Sequence, residues 1–149
     1  MATRSNIRIS DGSNSLWIYR HWDGYPAETG RDIAQTIKRL KRLYHGTGFA
    51  ALSQKLLDKR YPADNFRPEP RPIYEVTDGE HGDIEYLYEI AFKNGRASVK
   101  VTELKWSGDE KKRHLPIMMT EQQFRDYCAK ELRKMLNRIR SHNRKHKAA

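Results

Sequence analysis

Nine residues from Trp17 to Tyr25, "WIYRHWDGY", hold two tryptophans, two tyrosines, an arginine, a histidine and an aspartate. A guanidinium gives bidentate hydrogen bonds to phosphate, and aromatic faces stack on bases. Trp17, Tyr19, Arg20, His21, Asp23 and Tyr25 are therefore candidate ligand-binding residues. Tyr86, Tyr88 and Trp106 add rings later in the chain, and Arg125 and Arg133 add guanidinium groups. Two readings of the stretch stay open. Trp17, Tyr19 and Trp22 also suit an ordinary core, and a buried Arg20 needs an anionic partner, which Asp23, Glu85 or Glu89 would supply as well as a ligand. His21 and Asp23 have the types for acid–base exchange. Two residues apart at a strand end, however, they fit a histidine bonded to its own turn.

Other chemistries find little support. There is no Gly-rich phosphate loop and no dinucleotide fingerprint. One cysteine, Cys128, excludes an internal disulfide and fits a reducing compartment. Its helical spacing places it in a core rather than at a nucleophile's post. The six histidines (21, 45, 81, 114, 142, 146) offer one close pair, His142 and His146, in a tail expected to be disordered. No metal site, no cofactor and no catalytic set is expected.

The elements that must position these groups follow from periodicity. At 149 residues the chain suits one domain, residues 1–141, followed by a basic disordered tail, 142–149. "IRIS" and "SLWIYRHW" flank "DGSN", which predicts a β-hairpin. On its second strand Leu16, Ile18, Arg20 and Trp22 share one face, and Trp17, Tyr19 and His21 the other. A helix is expected from about Thr29, its cap, to Tyr44, with Ile33, Ile37, Leu40 and Tyr44 inward and "HGTG" breaking it. A second helix covers Phe49 to Tyr61, and "PADNFRPEPRP" crosses the surface extended. Strands at 73–78, 84–93 and 97–106 predict a three-stranded meander, with Asn94–Gly95 as a hairpin turn. Thr120 and Gln123 form a capping box for a long last helix, to about Ser141, striped by Phe124, Cys128, Leu132, Met135, Leu136 and Ile139. The fold class is α+β: an antiparallel sheet of hairpin plus meander packed with helices.

Charge is uneven. The net charge is +10, and the last twenty residues hold eight basic residues against Glu131. "KRLKR", Lys38 to Arg42, is the second concentration. Such charge attracts polyanions. No apolar run reaches a membrane-spanning length, and the first residues carry no secretory leader, so a cytoplasmic protein is expected.

The N-terminal third resembles a group of small phage proteins that open with a Thr-Arg pair and a short hairpin, then run through Tyr-Arg-X-X-Asp-Gly-Tyr-Pro into a helix. The matching residues are Thr3, Arg4, Tyr19, Arg20, Asp23, Gly24, Tyr25, Pro26 and Gly30. The later layout, through "IEYLYEIAF" to a helix after "MMTEQQF", is similar. The group is the phage Thoeris anti-defence sponges, which sequester cyclic ADP-ribose-type signals. Ala2, the long proline-rich crossing and the basic C-terminus depart from its pattern. The resemblance implies a homodimer or higher homo-oligomer in the host bacterial cytoplasm, with pockets between subunits where rings stack on a base and arginines hold a pyrophosphate.

The leading expectation is thus a non-enzymatic phage anti-defence protein that binds a cyclic nucleotide-like signal, either glycocyclic ADP-ribose or a cyclic oligonucleotide. The alternative is a nucleic-acid-binding or anti-CRISPR-type phage protein. That reading uses Lys38, Arg39, Lys41 and Arg42 together with Arg138, Arg140, Arg144 and Lys145.

Overall fold

Alternating apolar positions in "IRIS" and "SLWIYR" build β1 (Ser5–Ser10) and β2 (Ser15–Arg20), an antiparallel pair in register from Ser5↔Arg20 to Ser10↔Ser15. The Asp11 carboxylate closes their turn by accepting from the backbone N–H groups of Ser13 (3.0 Å) and Asn14 (2.7 Å). This computed structural model describes residues 2–44, 48–114 and 116–148, and for residues 43, 44 and 111 the backbone. The expected break at 45–48 and the inward side chain of Tyr44 therefore fall, Gly48 aside, outside the described residues.

After β2 a π-helical turn, Pro26–Gly30, leads into α1 (Arg31–Tyr44). Then come α2 (Phe49–Leu57), β3 (Arg60–Tyr61), β4 (Arg71–Pro72), β5 (Glu75–Thr77) and β6 (Tyr86–Lys93). The chain closes with β7 (Arg96–Ser107), β8 (Glu110–Arg113), β9 (Ile117–Thr120) and α3 (Glu121–Lys147). The class is α+β, with a mostly antiparallel sheet and a long C-terminal helix.

The main sheet runs β5-β2-β1-β6-β7-β8, with β9 also paired to β7. The expected meander is corrected here. Its first strand, β5, pairs with β2, and β6 instead lies parallel to β1, from Ser5↔Tyr86 to Ser10↔Ala91. Only β6 and β7 form the expected hairpin, through Asn94 and Gly95 at φ 52° and 72°, the left-handed pair that such a turn requires. Residues 78–85 carry the chain from the far edge to the centre, a span of roughly 14 Å for three strand spacings. They are anchored as they cross. The N–H of His81 donates to Asn6 Oδ1 (2.7 Å) and that of Glu85 to the carbonyl of Arg4 (2.9 Å).

One sheet face is covered by the helices. Ile7, Ile9, Ile18, Tyr88 and Ile90 pack there with Ile33, Ile37, Leu40, Leu52, Leu56, Phe124 and Cys128. Each large side chain fully buried this way contributes about 1.5–3 kcal/mol, so this layer dominates stability. The other face holds a smaller cluster of Ile84, Leu87 and Leu104, against which Trp17 and Tyr19 pack. Both faces of β2 are thus apolar contacts, as the sequence predicts.

Three helix boundaries differ from expectation. α2 stops at Leu57 rather than Tyr61, because Arg60 and Tyr61 pair with Pro72 and Arg71 as β3. Thr29 does not cap α1: it lies inside the π turn, where its hydroxyl donates to the carbonyl of Asp23 (2.7 Å). Nor does α3 stop near Ser141, since residues 142–147, expected to be disordered, continue the helix. Nothing from Ser141 to Lys147 is a Gly or Pro, propagation of a nucleated helix costs little, and Arg144, Lys145 and Lys147 suit the negative end of its dipole. The apolar stripe is also buried only in part, because Leu136 and Ile139 stay 39% and 49% exposed.

The start of α3 is as expected. Thr120 Oγ1 accepts from the Gln123 N–H (3.2 Å), and the Thr120 N–H donates to Gln123 Oε1 (2.9 Å). Thr120→Ala is expected to cost about 1 kcal/mol, read as a lower urea midpoint at unchanged slope. Glu121 then ties three elements together, accepting from the Ala97 N–H of β7 (2.9 Å) and pairing with Lys41 of α1 (2.8 Å).

Candidate functional site

The strand β2 delivers its aromatic residues to two destinations, and the alternation of its side chains decides which. Arg20 points into the helical layer and is buried. Its guanidinium donates to Tyr74 Oη (3.0 Å) and stands 4.0 Å from both Asp32 and Asp23. Tyr74 Oη in turn donates to Asp32 Oδ2 (2.5 Å), and Lys59 holds the other Asp32 oxygen at 2.9 Å. Burial works against the charge of Arg20, but Tyr74, Tyr61 and Asp32 outweigh it and hold its pKa above the ordinary value. Burial likewise pushes the Tyr74 phenol up, with Asp32 adding to it. The partners are Asp32 and Asp23, not Glu85 or Glu89. Arg20 Nε is buried with no hydrogen-bond partner, but both terminal nitrogens are turned to Tyr74, Asp32 and Asp23, so Arg20 fixes the fold and does not present its guanidinium to a ligand.

Tyr88 needs the same correction. It is fully buried, and its hydroxyl donates to the carbonyl of Gly24 (2.8 Å), which makes it a core group.

Where β2 ends, the chain turns outward. Asp23 adopts φ 56°, and His21, Trp22 and Asp23 are exposed. The ring of His21 meets Trp22 edge-on at 4.7 Å, and Tyr19 stacks on His81 at 4.2 Å. Tyr19 Oη lies 3.3 Å from both His21 Nδ1 and Asp83 Oδ2. Burial, then the Asp83 charge, raises its pKa. Asp23 accepts from Tyr25 Oη at 3.3 Å, so the His21–Asp23 acid–base arrangement considered above is not formed: each faces another partner.

Facing Tyr19, His21 and Trp22 stands the proline-rich segment. It does not simply cross the surface. β3 and β4 pair it back on itself, Tyr61↔Arg71, and the Asp64 carboxylate accepts from the N–H groups of Phe66 and Arg67 at 2.9 and 2.7 Å. This folding sets Arg71 over the Tyr61 ring at 5.4 Å and encloses a cavity of about 320 Å³. Tyr19, His21, Trp22 and Tyr61 line it together with Arg67 and Arg71, and Glu75 is the one acidic residue in the lining. Tyr61, Arg67 and Arg71 were not among the residues expected from sequence. The usable signal was there, three arginines interleaved with prolines and aromatics in "RYPADNFRPEPR".

The remaining expected residues do not join this cavity. Trp17 is half-buried under Arg8, 5.6 Å above its ring. Tyr25 and Tyr86 line a separate cleft of about 300 Å³ with Glu85, Glu131 and Arg138. Trp106, 58% exposed, lies beyond β6 on the β7–β8 hairpin, Arg125 sits beside Lys38 where α1 meets α3, and Arg133 is exposed further along α3. Of the basic residues in the alternative reading, Lys41 is engaged by Glu121, and Lys38, Arg39, Arg42, Arg138, Arg140, Arg144 and Lys145 are exposed. A larger hollow, about 650 Å³, is an open groove lined by Ala91, Met118 and Met119 with no aromatic ring to stack a base.

Among the described residues, no group of three or more His, Cys, Asp or Glu is placed to hold a metal ion, and no helix is long and apolar enough to cross a membrane. Cys128 is fully buried, and burial pushes its thiol up to about 12 from 9.0. A thiol raised in the folded state keeps its proton while the unfolded chain loses it. Its contribution to stability is therefore full below about pH 9 and declines from there towards 12. At pH 8 iodoacetamide is expected to spare Cys128 until urea unfolds the chain, and rapid labelling of the native protein would contradict this burial.

The chain matches no protein-family profile and no curated protein sequence.

Proposed function

We infer that this protein captures, without turning it over, an anionic nucleotide-like molecule in the cavity between Trp22 and Arg71. The observation that carries this reading is the combination of stacking rings and two guanidinium groups around one hollow of about 320 Å³. That size stands at the lower end of the roughly 300–1,000 Å³ typical of small-molecule sites. A base would stack on Trp22 or Tyr61, the phosphates would meet Arg67 and Arg71, and Glu75 would accept from sugar hydroxyls. Tyr19 Oη and His21 Nδ1 are within reach of each other in the lining, at 3.3 Å, but burial and the Asp83 charge raise the phenol's pKa, which favours capture over turnover. Resemblance to the Thoeris sponges favours a cyclic ADP-ribose-type or cyclic oligonucleotide signal. Opposition to a bacterial defence from within the host cytoplasm, as a homodimer or larger assembly, belongs to the same reading.

Isothermal titration against glycocyclic ADP-ribose and a panel of cyclic oligonucleotides tests it. One ligand per chain and an unchanged mass on release are expected. Absence of heat with every member would remove the reading, and a cleaved ligand would replace capture by catalysis.

A further inference from the structure

The second half of α3 separates its side chains by chemistry. From Lys130 to Lys147 the helix carries eight cations and a single carboxylate, Glu131. At about 100° per residue, Lys130, Arg133, Lys134, Arg138, Arg140, Arg144, Lys145 and Lys147 all fall within one half of its circumference. Leu132, Met135, Leu136, Ile139, His142 and His146 lie in the other half, with Glu131 and Asn143. Every residue from Leu136 to Lys147 is exposed, a segment of roughly 18 Å that leaves the body as an arm past Arg138, which borders the Tyr25–Tyr86 cleft. Among the described residues from Lys130 to Lys147, Lys134 is the one cation held in an ion pair, with Glu131 at 3.1 Å.

The cationic half has internal order. Arg133, Arg140 and Lys147, seven residues apart, run along one margin, and Lys134, Arg138 and Lys145 run along the other. Asn137 and Ser141 lie between them, uncharged and able both to donate and to accept. A helix about 10–12 Å across fits a major groove about 12 Å wide, where phosphate rows flank both sides and base edges form the floor. We propose that this arm binds duplex DNA by entering the major groove, each cationic margin on one phosphate row and Asn137 and Ser141 toward the bases. An acidic membrane surface is the weaker fit. The apolar half ends at Ile139, and imidazoles, not hydrocarbon, occupy its last two turns. This inference is independent of the nucleotide cavity.

The test is fluorescence anisotropy of a labelled 20-base-pair DNA duplex with the full chain, between about 50 and 200 mM salt. The wild-type logarithmic affinity is expected to fall with log salt at about −0.9 per phosphate contacted. Arg138→Gln/Arg140→Gln/Arg144→Gln/Lys145→Gln should flatten that slope by about 3 and weaken binding roughly 10²–10³-fold near 0.1 M salt. Leu136→Gln/Ile139→Gln should leave binding within about twofold. Circular dichroism and the urea midpoint of each variant confirm that the body is intact. The proposal is overturned by failure of the wild type to bind duplex, by an unaltered slope in the fourfold variant, or by loss of binding in the apolar-half variant alone. Association with vesicles rich in phosphatidylserine, without duplex binding, would assign the arm to membranes instead.

Discussion

Trp22→Ala and Arg71→Ala are each expected to weaken binding of a nucleotide ligand by about 2 kcal/mol, roughly 30-fold, in the titration described above. A base loses about 1–3 kcal/mol when its aromatic platform is removed, and a hydrogen bond to a charged group contributes about 1.5–3 kcal/mol. Neither change should unfold the chain. Trp22 is 50% exposed beyond the end of β2, and Arg71 contributes one ring contact, to Tyr61 at 5.4 Å. Trp106→Ala on the β7–β8 hairpin is the control and should leave affinity unchanged. If Trp106→Ala weakens binding while Trp22→Ala does not, the ligand sits elsewhere. Arg20→Met is uninformative about the ligand: it removes the guanidinium from buried Tyr74 and half-buried Asp32, which keeps Lys59 at 2.9 Å, so it perturbs the fold rather than the cavity.

Gly24→Ala is expected to destabilise the chain by about 3 kcal/mol or more. A Cβ there would stand 2.7 Å from the Arg4 carbonyl carbon and 2.8 Å from the Ser5 nitrogen, both backbone atoms that no rotamer change can move. The shift also strains two hydrogen bonds: the Gly24 N–H to the Thr3 carbonyl and the Tyr88 hydroxyl to the Gly24 carbonyl, each 2.8 Å. Overpacking costs about 1–3 kcal/mol, and a buried hydroxyl left without its acceptor about 1–3 kcal/mol more. Against a total stability of about 5–15 kcal/mol that loss is large. Urea titration of Gly24→Ala beside Tyr88→Phe separates the two parts. A loss below about 1 kcal/mol for the glycine variant would mean that β1 has room to move.

Local chemistry was legible wherever neighbours in sequence are neighbours in space. The Asp11 turn, the Asn94–Gly95 hairpin, the three helices and the Thr120–Gln123 box all depend on residues within a few positions of one another. Partner choice was not. Three residues of β5 fit beside β6 or beside β2, and the bonds made by residues 78–85 as they cross the sheet select β2. The fate of Arg20 was equally hidden, because Asp32 and Tyr74 lie 12 and 54 residues away along the chain.

From the sequence alone came a nucleotide-suited mixture of rings and cations near the end of β2, and a capped last helix with an apolar stripe; that this helix continues through the basic residues to Lys147 came from the structure. Only the tertiary structure decided which cation is neutralised inside and which face a hollow: Arg20 is sealed by Asp32, whereas Arg67 and Arg71 stand opposite Trp22. The physical reason is that a side chain's period along its own element is a local property. Whether its charge meets a carboxylate or an open cavity depends on groups brought together by long-range packing.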